Sequence, residues 1–259
     1  MMTYKVENLS FSYNKKINVL SDISFDIGDG ELICVLGKNG SGKTTLFNCL
    51  LGIFNDYDGH IYLNDKEIKK LKEKDIAKIV SYVPQNSSTC FGYTVLDYVL
   101  MGLASSISMF SRPNKSHVQK ALDALKTMNM LDYKDRLFME LSGGEKQQIT
   151  IARALVSDPK ILFFDEPTAH LDYANQIKVL KIIKDLSNKG YGVIFSSHDP
   201  NHALMFDCNV ILFNGQGKIE KDKTKELVNE EKLKEVYDSN LKIIFSDELK
   251  RNICTYSTI

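Results

Sequence analysis

The chain has 259 residues, with Lys plus Arg and Asp plus Glu equal at 33 each, so its formal net charge is zero. That balance argues against a broad positive field for non-specific nucleic-acid binding, without excluding a local patch. The length suits one large α/β domain, or one domain with an added lobe, rather than a string of domains. The five cysteines, Cys34, Cys49, Cys90, Cys208 and Cys254, are scattered and never in C-x-x-C spacing. They point to reduced thiols in a cytosolic protein and away from a disulfide frame or zinc site. The opening MMTYKVENLSFSYNKK lacks the apolar core of a secretory signal, and no apolar run approaches the ~18 residues that cross a bilayer. Work at a membrane would need other chains to do the spanning.

In chain order, YKVENLSFSY, DISFDI and ELICVLG are rich in β-formers, and the GDG turn (28–30) predicts that the last two form a hairpin. From Gly37 the pattern becomes strand, glycine loop and helix, with Gly52 closing the helix KTTLFNCLL. A strand pair near HIYLN, a polar helix over 66–78 and a strand in IVSYVPQ follow. The stretch 94–158 reads as mostly helical, with apolar residues at helical spacing in VQKALDALKTMNM. ILFFDEP and YGVIFSSHD are short apolar runs ending in polar residues, the pattern of buried parallel strands. The amphipathic NQIKVLKIIKDLSNKG between them suits a right-handed crossover. VILFNGQGKIEK predicts a hairpin, and the remainder from 224 is charged and helical at first, with a weak strand in LKIIF.

GKNGSGKT (37–44) fits G-x-x-x-x-G-K-[ST] between a predicted strand and helix. Gly37, Gly40 and Gly42 would expose backbone N–H groups to a β-phosphate, Lys43 would reach the β- and γ-phosphates, and Thr44 could ligate Mg²⁺. The bland alternative is a plain linking turn. ILFFDEP ends a buried strand in paired carboxylates. Asp165 could hold Mg²⁺, directly or through water, and Glu166 could polarise an attacking water, where an isolated pair would be a turn cap and a solvated acid. His198 follows GVIFSS at the C-terminal end of a predicted parallel strand, where it could contact a γ-phosphate. His60, His117 and His202 read as structural. Gln85 in SYVPQN could reach Mg²⁺ or the water. Tyr13, alternating with Phe11, could offer its ring to an adenine or simply pack. Ser142 and Glu145 in LSGGEKQQ have capping-box spacing, so a helix with a free, glycine-exposed N-terminus should start there and suit an anion.

With these motifs in this order, the chain resembles over nearly its whole length the nucleotide-binding subunit of an ABC transporter. GKNGSGKT is similar to the Walker A motif, Gln85 to the Q-loop, LSGGEKQQ to the signature, ILFFDE to Walker B, AHLD to the D-loop and His198 to the switch histidine. The resemblance implies a P-loop NTPase (RecA-like) core with an N-terminal antiparallel β subdomain and an inserted α-helical subdomain. The whole chain 1–259 would be one nucleotide-binding domain: 1–87 and 156–223 form the core and β subdomain, 88–155 the helical subdomain and 224–259 a C-terminal extension.

The family also implies the cofactors, ATP and Mg²⁺. Tyr13, Gly37, Asn39, Gly40, Ser41, Gly42, Lys43, Thr44 and Thr45 would bind one nucleotide. Thr44, Gln85 and Asp165 would hold the metal, and Glu166, His198 and Gln85 would act on the attacking water. Two copies would pack head to tail, so that Ser142, Gly143 and Gly144 of one, with Asp172 of the D-loop, serve the ATP of the other. Further implied partners are permease subunits docking near Gln85 at the cytoplasmic face of the membrane and, indirectly, an extracytoplasmic binding protein.

TVLDYVLMG and SSHDPNHAL resemble importers of iron-siderophores, haem and cobalamin. Departures from the family pattern are Lys38 for proline, Glu145 for glutamine and Leu103 for arginine. Two alternatives are an ABC ATPase for another solute and a soluble ABC ATPase acting on nucleic acid or ribosomes. The second usually has paired nucleotide domains or a coiled-coil insertion, and neither is visible here.

Overall fold

The computed structural model describes residues 4–14, 16–86, 92–107 and 111–256. Cys90 therefore lies outside the described residues, while the other four cysteines are free thiols in buried positions. Burial pushes Cys49 up to about 12 and Cys34 well above its ordinary value, so both stay protonated. The chain divides into two compact units, Met1–Leu71 with Gly192–Ile259, and Lys72–Tyr191.

The first unit opens with β1 (Tyr4–Phe11), β2 (Leu20–Ile27), β3 (Leu32–Leu36), α1 (Lys43–Leu50), β4 (Asp58–Leu63) and β5 (Lys66–Glu67). The second unit contains α2 (Glu73–Ala77), β6 (Val80–Val83), α3 (Val95–Leu100), α4 (Lys115–Thr127), α5 (Gly143–Leu155), β7 (Ile161–Phe164) and α6 (Tyr173–Asn188). The first unit then resumes with β8 (Gly192–Ser197), α7 (Pro200–Phe206), β9 (Asn209–Phe213), β10 (Ile219–Lys223), α8 (Thr224–Leu227), α9 (Glu230–Tyr237), β11 (Leu241–Ser246) and β12 (Arg251–Tyr256).

The predicted hairpin across Gly28–Gly30 does not form. β2 pairs antiparallel with β1, which also pairs with β4, whereas β3 lies parallel between β8 and β9. The burial patterns explain the separation. β2 alternates buried and accessible positions, as a strand with one wet face does, while the middle and end of β3, ICVL, are buried throughout and need cover on both faces. The turn is held instead by Glu31, whose Oε1 accepts from Gly28 N at 3.0 Å. Tyr4 ties the antiparallel sheet to α1, its fully buried hydroxyl donating to Leu50 O at 3.0 Å. At the end of α1, Gly52 has φ 70° and its N–H bonds Cys49 O at 3.1 Å, the expected helix stop.

The polar helix over 66–78 is also corrected. Asn64 and Asp65 have φ values of 50° and 60°, the two-residue turn that matches strand twist, and they fold Lys66–Glu67 back onto Tyr62–Leu63 as β5. A 3₁₀ turn at Ile68–Lys70 follows, and only Glu73–Ala77 is α-helical. Past β10, which forms the expected hairpin with β9, the weak strand LKIIF proves to be half of a second hairpin, β11–β12.

In the second unit β6 and β7 pair in parallel, from Val80 with Ile161 to Val83 with Phe164. Helices α3, α4 and α5 pack on one another. Gly102 makes that packing possible, because a Cβ there would sit 2.1 Å from the carbonyl oxygen of Arg153 on α5. Leu103, the departure noted above, is buried within this helical cluster. Helix α6 buries Val179, Leu180, Ile183 and Leu186, the apolar stripe of its sequence.

Candidate functional site

The phosphate loop joins β3 to α1, as its sequence predicts. Gly40 and Gly42 have φ values of 77° and 108°, backbone that residues with a Cβ rarely adopt, and Gly42 is the N-cap of α1. The loop is anchored where Gly37 N bonds Ser197 O at 3.2 Å. Lys43 is buried and folds back over the loop, its Nζ donating to Gly37 O at 2.8 Å and Lys38 O at 3.1 Å. Ser41 Oγ is buried with no hydrogen-bond partner among the described residues. An orphaned hydroxyl costs about 1–3 kcal/mol where it stands. In a loop that aims backbone donors and an ammonium inward, it is the group a bound phosphate oxygen would satisfy.

Tyr13 lies past the end of β1 rather than in it, and is 64% exposed. Its hydroxyl shares a 2.9 Å hydrogen bond with Thr45 Oγ1 on α1. Its ring stands edge-on to Phe11 and Phe54, which stack on each other at 5.1 Å. The aromatic is thereby fixed next to the phosphate loop with much of its surface open.

The parallel pairing of β6 and β7 brings Gln85 and the acid pair to the same strand ends. Asp165 N bonds Val83 O at 2.9 Å, extending the pairing one residue past β7. The Asp165 side chain is buried and accepts from the Tyr82 hydroxyl at 3.2 Å. Burial, and then the Asp165 carboxylate, push Tyr82 above its ordinary value, so it stays a donor. Gln85 Nε2 reaches Glu166 Oε2 at 3.5 Å, the long limit of a hydrogen bond. Glu166 has φ 42°, a left-handed conformation that costs a residue with a Cβ of order 1–3 kcal/mol. Tyr82 was not singled out in the sequence, since nothing local marks a strand tyrosine as the partner of an acid 83 residues away.

At LSGGEKQQ the capping box forms as expected. Ser142 Oγ accepts from Glu145 N at 3.4 Å, and Glu145 Oε2 accepts from Ser142 N at 2.8 Å. Ser142 donates to Glu145 Oε2 from its backbone N–H and from its hydroxyl, both at 2.8 Å, and these two bonds hold the Glu145 carboxyl below the usual range. Ser142 and Gly143 are exposed and Gly144 is buried. Asp172 caps α6 by accepting from Asn175 N at 2.8 Å, and its other oxygen accepts from Asn175 Nδ2 at 3.0 Å. The same carboxamide lies against Gly144, where a Cβ would come within 2.4 Å of it. Asn175, also missed in the sequence, thus joins the LSGG turn to the AHLD turn.

His198 follows β8 with an exposed side chain. The neighbouring His202 is buried on α7, where its Nδ1 lies 2.8 Å from Ser197 Oγ, and burial holds it below the ordinary histidine value. Its setting is that of a packed, hydrogen-bonded histidine. Among the described residues no group of three or more His, Cys, Asp or Glu side chains could hold a metal ion by itself. Among them, too, no helix is long and apolar enough to cross a membrane.

The model of the family described as ABC transporter matches residues 20–169. The chain belongs to the ABC transporter family. It is accordingly an ATP-binding protein of that family, an ATPase coupled to transport, with the P-loop NTPase fold. Over its whole length this ABC ATPase is 31% identical to an iron(3+)-hydroxamate import ATP-binding protein of Bacillus subtilis, covering 97% of it. It is 33% identical over 95% of its length, and 97% of the relative, to a Helicobacter pylori protein named "Probable iron chelatin transport ATP-binding protein". A molybdate import ATP-binding protein of Haemophilus influenzae is 38% identical over 82% of this chain and 79% of its own. Among solved structures, a metal-chelate type ABC transporter in an inward-facing conformation superposes with TM-score 0.86 at 32% identity, covering 99% of both chains. A dimeric bacterial ABC transporter cassette superposes with TM-score 0.73 at 26% identity, covering 85% of this chain and 98% of that one.

Proposed function

We propose that this ABC ATPase powers an importer of a metal chelate, of the iron-siderophore, haem or cobalamin class. The observation that carries the solute class is the match over 99% of both chains to the metal-chelate type transporter. The end-to-end alignment with the iron(3+)-hydroxamate relative supports it. The molybdate relative favours a second reading, the same ATPase serving an oxyanion importer.

In the proposed mechanism ATP lies on the loop of Gly37, Asn39, Gly40, Ser41, Gly42, Lys43, Thr44 and Thr45. The Lys43 ammonium exchanges its two loop carbonyls for phosphate oxygens, Ser41 Oγ gains the partner it lacks, and Tyr13 presents its ring to the adenine. The Thr44 hydroxyl, Asp165 and Gln85 would hold Mg²⁺, which would neutralise phosphate charge when bound. All three offer hard oxygen donors, the ligand type this ion prefers. Tyr82 keeps the Asp165 carboxylate oriented. Glu166 takes up the proton of the attacking water, Gln85 helps to orient that water, and His198 contacts the γ-phosphate. Two copies pack head to tail, so that Ser142, Gly143 and Gly144, with Asp172, complete the partner's site through the capped N-terminus of α5. The dimer works as a peripheral protein at the cytoplasmic face of the membrane, against permease subunits fed by an extracytoplasmic binding protein.

ATP hydrolysis by membranes containing this protein and its permease, with and without binding protein loaded with an iron chelate or haem, tests the reading. Stimulation by the loaded receptor, abolished by Glu166→Gln while ATP binding persists, is the expected result. Glu166-dependent turnover that responds to molybdate-loaded receptor and to no chelate would transfer the assignment to the second reading.

A further inference from the structure

The part of the chain left without a role is the C-terminal extension, and it grips the segment that carries His198. Tyr237, the last residue of α9, donates its hydroxyl to His198 O at 2.9 Å. Three residues beyond His198, the Asn201 carboxamide closes a two-bond ring with the backbone of Cys254 on β12. Cys254 N donates to Asn201 Oδ1 at 2.9 Å, and Asn201 Nδ2 donates to Cys254 O at 3.1 Å. Asn201 thus stands in for a neighbouring strand on the outer edge of the hairpin, satisfying both backbone groups of one residue. It is itself held by Asp199 Oδ1, which accepts from Asn201 N at 2.9 Å and Nδ2 at 3.1 Å. Ser197 Oγ accepts from Asp199 N at 2.9 Å, so the turn from Ser197 to Asn201 is braced from within as well.

We propose that Tyr237 and Asn201 are positioning residues for His198, and that the C-terminal helix and hairpin set the backbone on which that histidine is presented. This rests on the reading of His198 as a γ-phosphate contact. The physical case is one of constraint. The extension contributes three hydrogen bonds to the short segment 198–201, one of them to the carbonyl of His198 itself, and these restrict the backbone from which that side chain projects. A functional side chain must be held within about 0.5 Å of its productive geometry, which is what bonds to its backbone segment help to secure.

The test uses the full chain with its permease in membranes. Tyr237→Phe removes one hydroxyl and keeps the ring. It should lower kcat about three- to tenfold, the effect of one misplaced hydrogen-bonded support, with KM for ATP within about twofold and a nearly unchanged melting temperature. Asn201→Ala should lower kcat in the same way and also speed proteolysis of the hairpin. Tyr256→Ser, at an exposed position on the same hairpin, should leave turnover unchanged. Wild-type kcat in Tyr237→Phe, beside loss of turnover in His198→Ala, would overturn the inference and leave the proposed function standing. So would a Tyr237→Phe protein that loses melting temperature while kcat and KM worsen together, since that marks a purely structural bond. Wild-type turnover in His198→Ala would remove the role of His198, and this inference with it.

Discussion

Substituting alanine at Gly42 and, separately, at Gly40 tests whether the phosphate loop is held in its shape by the fold. Both positions have positive φ, 108° and 77°, so each alanine is strained in its native backbone. At Gly40 a Cβ meets nothing within 4 Å among the described residues, whereas at Gly42 it would sit 3.1 Å from Val19 O and 3.2 Å from Val19 Cγ1. The strain at Gly40 is about 1–2 kcal/mol, against which the stiffer unfolded chain returns about 0.4–1 kcal/mol. The net is a loss of about 1 kcal/mol. At Gly42 the conformation lies further from the left-handed minimum, at about 2–3 kcal/mol, and the crowding of Val19 adds about 1 kcal/mol, for a net loss of about 3 kcal/mol.

At about 2–4 °C per kcal/mol for a chain of this size, Gly40→Ala should melt about 2–4 °C low and Gly42→Ala about 6–12 °C low. Thermal unfolding followed by circular dichroism reads the difference directly. Because Gly42 caps α1, its variant should also lose fluorescent-nucleotide binding by more than tenfold, while Gly40→Ala keeps measurable affinity. Equal melting shifts in the two variants would refute the reasoning, since they would mean that Val19 yields without cost.

Ser142→Ala removes the cap of α5 while leaving the backbone free to remain helical, and should cost about 1 kcal/mol, seen as a melting shift of about 2–4 °C. Under the proposed function it should also weaken ATP-induced dimerisation, measurable by size-exclusion chromatography of a Glu166→Gln background. His202 carries a pH signature. Burial holds its folded value below the ordinary 6.5 or so, with Asp199 opposing, so protonation favours the unfolded chain. Stability is therefore complete above about pH 6.5 and falls as the pH drops below it, and His202→Gln should flatten that fall in melting curves taken from about pH 7 to 5.

The chemistry of the site was legible because it is written in local pattern. GKNGSGKT specifies a strand-to-helix turn through its glycines, Ser142 and Glu145 specify a cap through their spacing, and ILFFDEP specifies a buried strand ending in acids. All of these depend on dihedral preferences and hydrogen bonds between near neighbours, and each formed as read. The failures came where short-range signals competed. GDG looks like a hairpin turn, yet the contrast between the alternating β2 and the fully apolar ICVL of β3 sends the two strands to different partners. The charged stretch after Asp65 looks helical, yet two positive-φ residues turn it into a strand first.

What the sequence determined by itself was the family, the glycine loop between β3 and α1, the acid pair that follows β7 and the capped start of α5. Tertiary structure alone decided that Tyr82 holds Asp165, that Asn175 bridges the LSGG and AHLD turns, that Tyr237 of α9 bonds the backbone of His198, and that Asn201 joins the start of α7 to Cys254 of the last hairpin. The physical reason is separation along the chain. A tyrosine 39 residues from its acceptor, or an asparagine 53 residues from the strand it completes, has no local periodicity to betray the pairing, and only packing brings donor and acceptor together.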